Sequence, residues 1–304
     1  MNRIETEPYP ILQIQSDWVS QSEALGSKQK FWYDEKNEQS PWLFKYPQAG
    51  TGQHWAEKIA AEVADAIEVF HARVELAVFQ GTRGSATESF AREGRELYHG
   101  NQALAGHVLG YDPQREFRQS DHTLENIHLA LDRTFLTPDG ARWAKERLTD
   151  YLVLDALIGN TDRHHENWGI LRKRTEGGWA GMVAPTFDHA SSLGRELADD
   201  NTGKCRRRLL VESQVGRYSE RARGAIFWTP TDVHAISPLD LVRRASALHP
   251  DLFRPSLERL QNLERPTLER IVGRVPVDWM SELARTFAVA LMCYNLDQLR
   301  RIVV

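Results

Sequence analysis

The segment from Asp139 to Phe187 constrains the fold most, because it combines a long apolar helix, a polar loop and a hairpin. The helix is predicted from Asp139 to Ile158, starting at an Asp-Gly turn and stopping at Gly159. Its apolar residues at helical spacing are Trp143, Leu148, Leu152 and Leu157. The runs GILRKR and WAGMVAPTF bracket a Glu-Gly-Gly turn, which predicts a hairpin directly after the loop.

Three polar residues around this hairpin indicate a chemistry. Asp162 and Asn167 stand five positions apart in the loop GNTDRHHENWGIL, and Asp188 follows the hairpin in TFDHASSLG. Each alone is an ordinary turn former. Phosphoryl transfer explains the combination, since one carboxylate must receive the proton of the attacking hydroxyl while an amide oxygen and a second carboxylate hold Mg²⁺ against a triphosphate.

The N-terminal third is predicted to be rich in strands. KFWY and PWLFKYP flank a polar loop and predict a hairpin, and VELAVFQ and SATESFA predict two more strands separated by Gly81 and Gly84. An amphipathic helix is expected over Gln53 to Phe70. Helical patterns dominate from about Leu104 onward. The expectation is an α+β protein with a small β-rich lobe over residues 1–100 and a larger helical lobe over residues 101–304.

Lys45 and Glu57 are candidate residues for binding a nucleotide. Lys45 interrupts the apolar run LFKYP, where a strand would leave it facing a cleft, and the α and β phosphates of ATP would compensate its charge. The alternative is a lysine that protects an edge strand from aggregation. Glu57 on the following helix could pair with Lys45, although its neighbour Lys58 also fits a solvated face, and Glu62 competes for the role.

The segment SEALGSKQK before the first hairpin is predicted to be a loop over the phosphates. Gly26, Ser27 and the neighbouring backbone N–H groups could contact them. A single glycine is a weak signal, and a simple turn is the alternative reading. His164 and His165 in the polar loop lack further ligands at metal spacing, so His164 is expected to brace the loop by hydrogen bonds.

Composition excludes several classes of function. A net charge of −4 and a pI near 6.3 do not favour direct nucleic acid binding. Cys205 and Cys293 lack CxxC spacing, which indicates neither a disulfide framework nor zinc and fits a reducing cytoplasm. No leader pattern and no run of about 18 apolar residues occurs, so the protein is expected to be soluble and not to associate with membranes.

The motifs resemble those of the HipA-like serine/threonine kinases, the toxin kinases of toxin–antitoxin modules. GNTDRHHENWGIL is similar to their catalytic loop, TFDHASSLG to their metal-binding segment and WLFKYP to their ATP-lysine strand. The resemblance implies a kinase-like fold with Asp162 as catalytic base, Asn167 and Asp188 as Mg²⁺ ligands and Lys45 as the phosphate-binding lysine. ATP and Mg²⁺ are then the cofactors.

The same resemblance implies a form of regulation. SEALGSKQK resembles the family's SxxGxQxK loop with one extra residue, and a serine of that loop is autophosphorylated in the family, which makes Ser22 and Ser27 candidates. A short, HipT-like kinase with an antitoxin partner is expected. A translation component such as an aminoacyl-tRNA synthetase is the implied protein substrate. TESFAREG provides no clear match to the family's hinge strand, so the adenine contacts stay open.

Two other functions compete with a protein kinase. The DRHxxN loop is also similar to that of phosphoinositide kinases, and KCRRRLL, from Lys204 to Leu210, is a small candidate for a membrane-facing surface. KCRRRLL is interpreted instead as part of a substrate-receiving segment or as a solvated charge run, and these two interpretations carry equal weight. The third function is a pseudokinase. The joint presence of Lys45, Asp162, Asn167 and Asp188 argues against it, because a binding module needs no base.

Overall fold

The computed structural model describes residues 7–23, 30–35, 40–92, 94–116, 118–200, 205–211 and 213–302. The chain forms two compact units, each made of three segments. The first unit consists of Met1–Phe90, His189–Gly216 and Leu263–Tyr294. The second consists of Ala91–Asp188, Arg217–Asn262 and Asn295–Val304. These units combine separate segments of the chain and do not correspond to two consecutive lobes. They therefore do not test the lobe boundary near residue 100, which stays a prediction.

The first unit contains a six-stranded sheet. Its strands are β1 (Ile11–Ile14), β2 (Val19–Glu23), β3 (Lys30–Tyr33), β4 (Trp42–Lys45), β5 (Val74–Phe79) and β6 (Thr82–Glu88). They lie in the order β1-β5-β6-β4-β3-β2, with β1 and β5 parallel and the other pairs antiparallel. The predicted hairpin of KFWY and WLFK is confirmed as β3 and β4. The sequence patterns missed β1 and β2.

Alternation along β3 and β4 separates an aromatic face from a cationic face. Phe31 and Phe44 are buried, with ring centroids 5.1 Å apart, and Phe79 lies 4.6 Å from Phe31. Because successive side chains of a strand point to opposite faces, Lys30 and Lys45 lie on the other face, and the two residues are register partners. One face of this sheet therefore carries two neighbouring lysines.

Helices complete the first unit. They are α1 (Gln53–Ala66), α5 (Arg206–Val211), α9 (Arg265–Gly273) and the parts of α6 (Val215–Glu220) and α10 (Glu282–Arg300) up to Gly216 and Tyr294, respectively. The amphipathic helix predicted to reach Phe70 ends at Ala66, and Glu68 has a φ of 57° that an α-helix cannot contain. α1 packs against β5 and β6 of the sheet.

The second unit is built around a long buried helix. Its helices are α2 (Gly100–His107), α3 (Leu124–Thr134), α4 (Pro138–Ile158), α7 (Pro238–Leu248) and α8 (Pro250–Arg259). A three-stranded antiparallel sheet consists of β7 (Glu96–His99), β8 (Gly169–Thr175) and β9 (Gly178–Val183) in that order. α4 packs against α3, α7 and α8. The predicted α4 and the β8–β9 hairpin are confirmed, whereas β7 was missed.

Capping residues define the helix boundaries in this unit. Thr137 caps α4 and Ser237 caps α7 through their hydroxyl oxygens, and a proline follows each cap at the first helical position. α8 also begins with a proline, Pro250, and a second proline, Pro255, lies inside it. No helix in the described part of the chain has the length and apolarity needed to cross a membrane.

Three buried histidines are expected to make the protein sensitive to acid. Burial lowers the pKa of His54 and of His128 to about 4 and that of His122 to about 3, from an ordinary value of 6.5. Below pH 6.5 the unfolded chain therefore binds more protons than the folded protein. The stability is complete above that pH and is lost as the pH falls toward 4, by up to about 1.4 kcal/mol per pH unit for each histidine.

Urea unfolding at a series of pH values between about 7.5 and about 4.5 tests this expectation. His128→Gln should reduce the dependence of the unfolding free energy on pH. His107→Gln is the matched control, because His107 is exposed on α2 and its replacement should leave the dependence unchanged. An unfolding free energy that stays constant over this pH range would contradict the expectation.

Candidate active site

The polar loop that contains Asp162 starts from a fixed helix end. α4 stops at Gly159, whose φ of 66° lies in the left-handed region that glycine adopts at little cost. The buried Asn160 then donates from Nδ2 to Asp155 Oδ1 at 2.7 Å, and its own Oδ1 accepts from the backbone N–H of Asp162 at 3.2 Å. Two hydrogen bonds through the side chain of Asn160 therefore connect Asp162 to the last turn of α4.

Asn167 is bound to the same loop in a defined orientation. Its Nδ2 donates to the backbone carbonyl of Asp162 at 2.7 Å, and its backbone N–H donates to His164 O at 2.9 Å. Because the amide nitrogen is used in this way, Oδ1 is the side-chain atom of Asn167 that remains able to ligate a cation. His164 braces the loop as expected, since its Nδ1 accepts from the N–H of Glu166.

Arg163 connects the loop to the segment that precedes Asp188. Its guanidinium is buried and makes two hydrogen bonds with the carboxylate of Asp155, at 2.7 and 2.8 Å. It also donates to Thr186 Oγ1 at 2.9 Å and to the backbone carbonyls of Asn167 and Phe187. Five hydrogen bonds from one side chain therefore join the end of α4, the loop and the chain after β9.

The charge of Arg163 is maintained in this buried position. Burial lowers the pKa of the guanidinium, but the charge and hydrogen bonding of Asp155, with smaller contributions from Tyr151 and Asp188, raise the pKa above its ordinary value. Asp188 acts in the same direction, so its carboxylate lies within electrostatic range of Arg163. Asp155 and Arg163 were given no role by the sequence patterns. A lone carboxylate near the end of an apolar helix was the available signal, since buried charges require a partner.

Asp188 has a strained backbone. Its φ of 57° lies in the left-handed region, which residues with a Cβ occupy at a cost of roughly 1–3 kcal/mol. Such strain persists where surrounding contacts impose it, and it clusters at functional sites. Within the second unit, the structure therefore brings Asp162 and Asn167 together directly and attaches the segment of Asp188 to them through Arg163.

In the first unit, Glu57 and Lys45 occupy defined positions. Glu57 is fully buried, so it does not belong to a solvated face, and its Oε1 accepts from the N–H of His189 at 2.9 Å. Its competitor Glu62 binds Lys58 at 2.7 Å. Lys45 is half-buried on β4, opposite Lys30. The sequence patterns assigned no role to Lys30, although period-two alternation could have placed it on the face of its strand opposite Phe31 and Tyr33.

The predicted phosphate loop falls mostly outside the described residues. Gly26 and Ser27 lie there, and their roles stay predictions. Ser22 belongs to β2, where it is the register partner of Phe31.

Residues 22–241 match the model of the HipA-like C-terminal domain, and the chain belongs to that family. A similar curated protein is the serine/threonine-protein kinase CtkA of Helicobacter pylori, which is 37% identical over 81 residues. That match covers 26% of this chain and 23% of the relative's length.

Solved structures show the same fold. The crystal structure of the H. pylori proinflammatory kinase CtkA superimposes with a TM-score of 0.74 at 19% identity and covers 96% of this chain and 98% of its own. HipA of Shewanella oneidensis, solved with HipB and operator DNA, has a TM-score of 0.56 at 14% identity, with 98% of this chain and 70% of that chain covered. The predicted α+β, kinase-like fold is confirmed.

Proposed function

We propose that this protein is an ATP- and Mg²⁺-dependent serine/threonine protein kinase. The observation that carries the proposal is the bonding of Arg163, which joins the loop of Asp162 and Asn167 to the segment of Asp188. Phosphoryl transfer requires a base and cation ligands to be held together, because its catalysis consists mainly of positioning and charge neutralisation. Membership of a family that includes HipA-like kinases supports the same reaction.

The residues present are suited to Mg²⁺. This ion prefers oxygen ligands and is bound by one or two carboxylates together with substrate phosphates. Asp188 supplies a carboxylate, and Asn167 supplies an amide oxygen whose orientation the hydrogen bond to Asp162 O defines. When bound, Mg²⁺ would neutralise charge on the triphosphate. Lys45 and Lys30 provide two positive charges on one face of their sheet, which is suited to phosphate oxygens.

Asp162 would act on the acceptor. Its carboxylate would accept a hydrogen bond from the serine or threonine hydroxyl, orient the hydroxyl oxygen toward the γ-phosphorus and receive the hydroxyl proton. Arg163 and Asn160 would hold the loop in position. Glu57 would keep Lys45 in place. Phosphorylation of Ser22 or Ser27 by the protein itself, an antitoxin partner, a substrate among translation components and a cytoplasmic location belong to the same proposal.

A phosphoinositide kinase is the second candidate. Its membrane-facing surface would have come from KCRRRLL, but Arg206 in this segment is buried and binds Asp199 at 2.6 Å and Gly194 O at 3.0 Å. Arg206 is therefore not available to lipid headgroups, whereas Arg207 and Arg208 are exposed. The segment offers fewer cations to a membrane than its sequence suggests, and the choice of acceptor in a transfer experiment distinguishes the two candidates.

Transfer of labelled γ-phosphate from Mg·ATP tests the proposal, with the protein itself, a cell lysate and phosphoinositide vesicles as acceptors. We expect label on protein and none on vesicles, with loss of transfer when Mg²⁺ is chelated. Lys45→Ala should lower kcat/KM for ATP by about 10- to 100-fold, because it removes charged hydrogen bonds to phosphate. Lys173→Ala is the matched control, since Lys173 is exposed on β8. Label on vesicles alone would establish the second candidate, and label on no acceptor would refute the proposal.

A further inference from the structure

A cavity of about 440 Å³ opens beside Asp162 in the second unit. Four parts of the chain contribute to its lining, represented by Arg118, Asp162, Arg223 and Val233. Its volume falls in the range of sites that bind small ligands and exceeds what a single hydroxyl-bearing side chain fills. An acceptor serine or threonine could therefore reach Asp162 together with the residues beside it.

His165, which belongs to the lining of this cavity, has a buried ring nitrogen that needs a partner. His165 is 1% exposed, and its Nδ1 forms a hydrogen bond with the hydroxyl of Tyr111 at 2.7 Å. Its Nε2 has no hydrogen-bond partner among the residues that the structure describes. More than about nine in ten buried polar groups are hydrogen-bonded in proteins. A ligand in the cavity would supply the missing partner.

The cavity lining contains two arginines beside the carboxylates of Glu116 and Asp162. Arg118 and Arg223 line it, are exposed to solvent, and form no ion pair within the described ranges of the chain. The buried Arg163 of the same unit, by contrast, already has a carboxylate partner in Asp155. Arg118 also has a φ of 54°, which a residue with a Cβ rarely adopts. Guanidinium groups bind carboxylates and phosphates with defined geometry.

The apolar residues of the cavity lining favour a peptide as the ligand. Phe227, Val233 and Ala235 contribute apolar surface, and Val233 is 82% exposed. Side chains of a peptide can cover such surface. The net charge of −4 for the whole chain does not favour a nucleic acid, whose binding depends on many phosphate contacts.

We infer that this cavity binds the acceptor peptide and selects a serine or threonine that has an acidic residue beside it. Arg118 and Arg223 bind the acidic side chain, and His165 Nε2 forms a hydrogen bond with the peptide. The inference rests on the proposed function for the role of Asp162, but the binding of an acidic peptide does not depend on catalysis. These three residues determine specificity rather than perform the chemistry.

Binding and turnover of paired peptides test the inference. The peptides share one serine and differ only in whether aspartate, asparagine or lysine flanks it. We expect the wild-type protein to bind the aspartate peptide at least 10-fold more tightly than the asparagine peptide by fluorescence anisotropy, and to phosphorylate it with a lower KM and a similar kcat. Arg223→Gln and Arg118→Gln should each weaken this preference by about 5-fold.

A reversal of charge supplies the sharpest readout. Arg223→Glu should shift the preference toward the lysine peptide, which a merely structural role would not do. Arg221→Gln is the matched control, because Arg221 is exposed nearby and does not line the cavity. All four substitutions are at exposed positions and should leave folding intact.

The outcomes separate the inference from the proposed function. Tight binding of the aspartate peptide without phosphate transfer to any protein would support the inferred binding of acidic peptides and refute the proposed kinase activity. Phosphate transfer without a preference for the aspartate peptide would support the proposed kinase activity and overturn the inferred preference for an acidic peptide. An RNA oligonucleotide that displaces the peptide and binds more tightly than it would also overturn the inference.

Discussion

Asp162→Asn is expected to lower kcat for phosphate transfer by about 100- to 10,000-fold, the usual contribution of a general base. The amide cannot receive the proton of the acceptor hydroxyl. The loop should keep its shape, because Asn167 donates to the backbone carbonyl of residue 162 and Asn160 accepts from its backbone N–H. The affinity for Mg·ATP should therefore change little, and the loss should appear in kcat.

Single-turnover transfer and nucleotide titration separate these two quantities. Asp297→Asn is the matched control, since Asp297 is exposed on α10 and the same chemical change there should affect neither. Wild-type turnover in Asp162→Asn would show that the catalytic loop has been assigned to the wrong residues. A large loss of nucleotide affinity would instead show that Asp162 acts in binding.

Arg163→Met is expected to lower the free energy of unfolding by about 3–5 kcal/mol, which is the cost of leaving one charge of a buried pair without its partner. Asp155, which is 2% exposed, would lose both hydrogen bonds from the guanidinium. Phosphate transfer should fall as well, because the segment of Asp188 would lose its bonds to the loop.

Denaturant unfolding measures this effect, and α4 offers a matched control. Arg142 forms an exposed ion pair with Glu146 at 2.9 Å, so Arg142→Met should change the unfolding free energy by less than about 0.5 kcal/mol. In the double variant Asp155→Asn/Arg163→Gln, much of the stability should return, because no buried charge remains. Equal losses of unfolding free energy for Arg163→Met and Arg142→Met would contradict the role of Arg163 in joining α4, the polar loop and the segment of Asp188.

Much of the fold could be predicted from local patterns. The β3–β4 hairpin, α4 and the β8–β9 hairpin each have a clear period and a clear stop, such as Gly159 at the end of α4. β1 was missed because its pairing partner β5 lies about 60 residues away, and a four-residue run with three apolar residues indicates no particular element. β7 was missed for the same reason, since its partner is β8.

The candidate site likewise contains residues that the sequence pattern selected and residues that only the structure revealed. Spacing in the loop identified Asp162 and Asn167, and the hairpin return identified Asp188. The role of Arg163 could not be predicted, because its partners Asp155 and Thr186 belong to different elements. The cavity beside Asp162 was equally hidden, since its walls come from four separate segments.

The sequence by itself determined the family, the α+β class and the identity of the candidate catalytic residues, because periodicity, helix stops and motif spacing act over a few neighbouring residues. The tertiary structure alone decided which side chains meet. Lys30 faces the same side as Lys45 only through strand register. Tyr111 binds one ring nitrogen of His165, and the described part of the chain provides no partner for the other. Such contacts depend on the packing of distant segments, which no local pattern specifies.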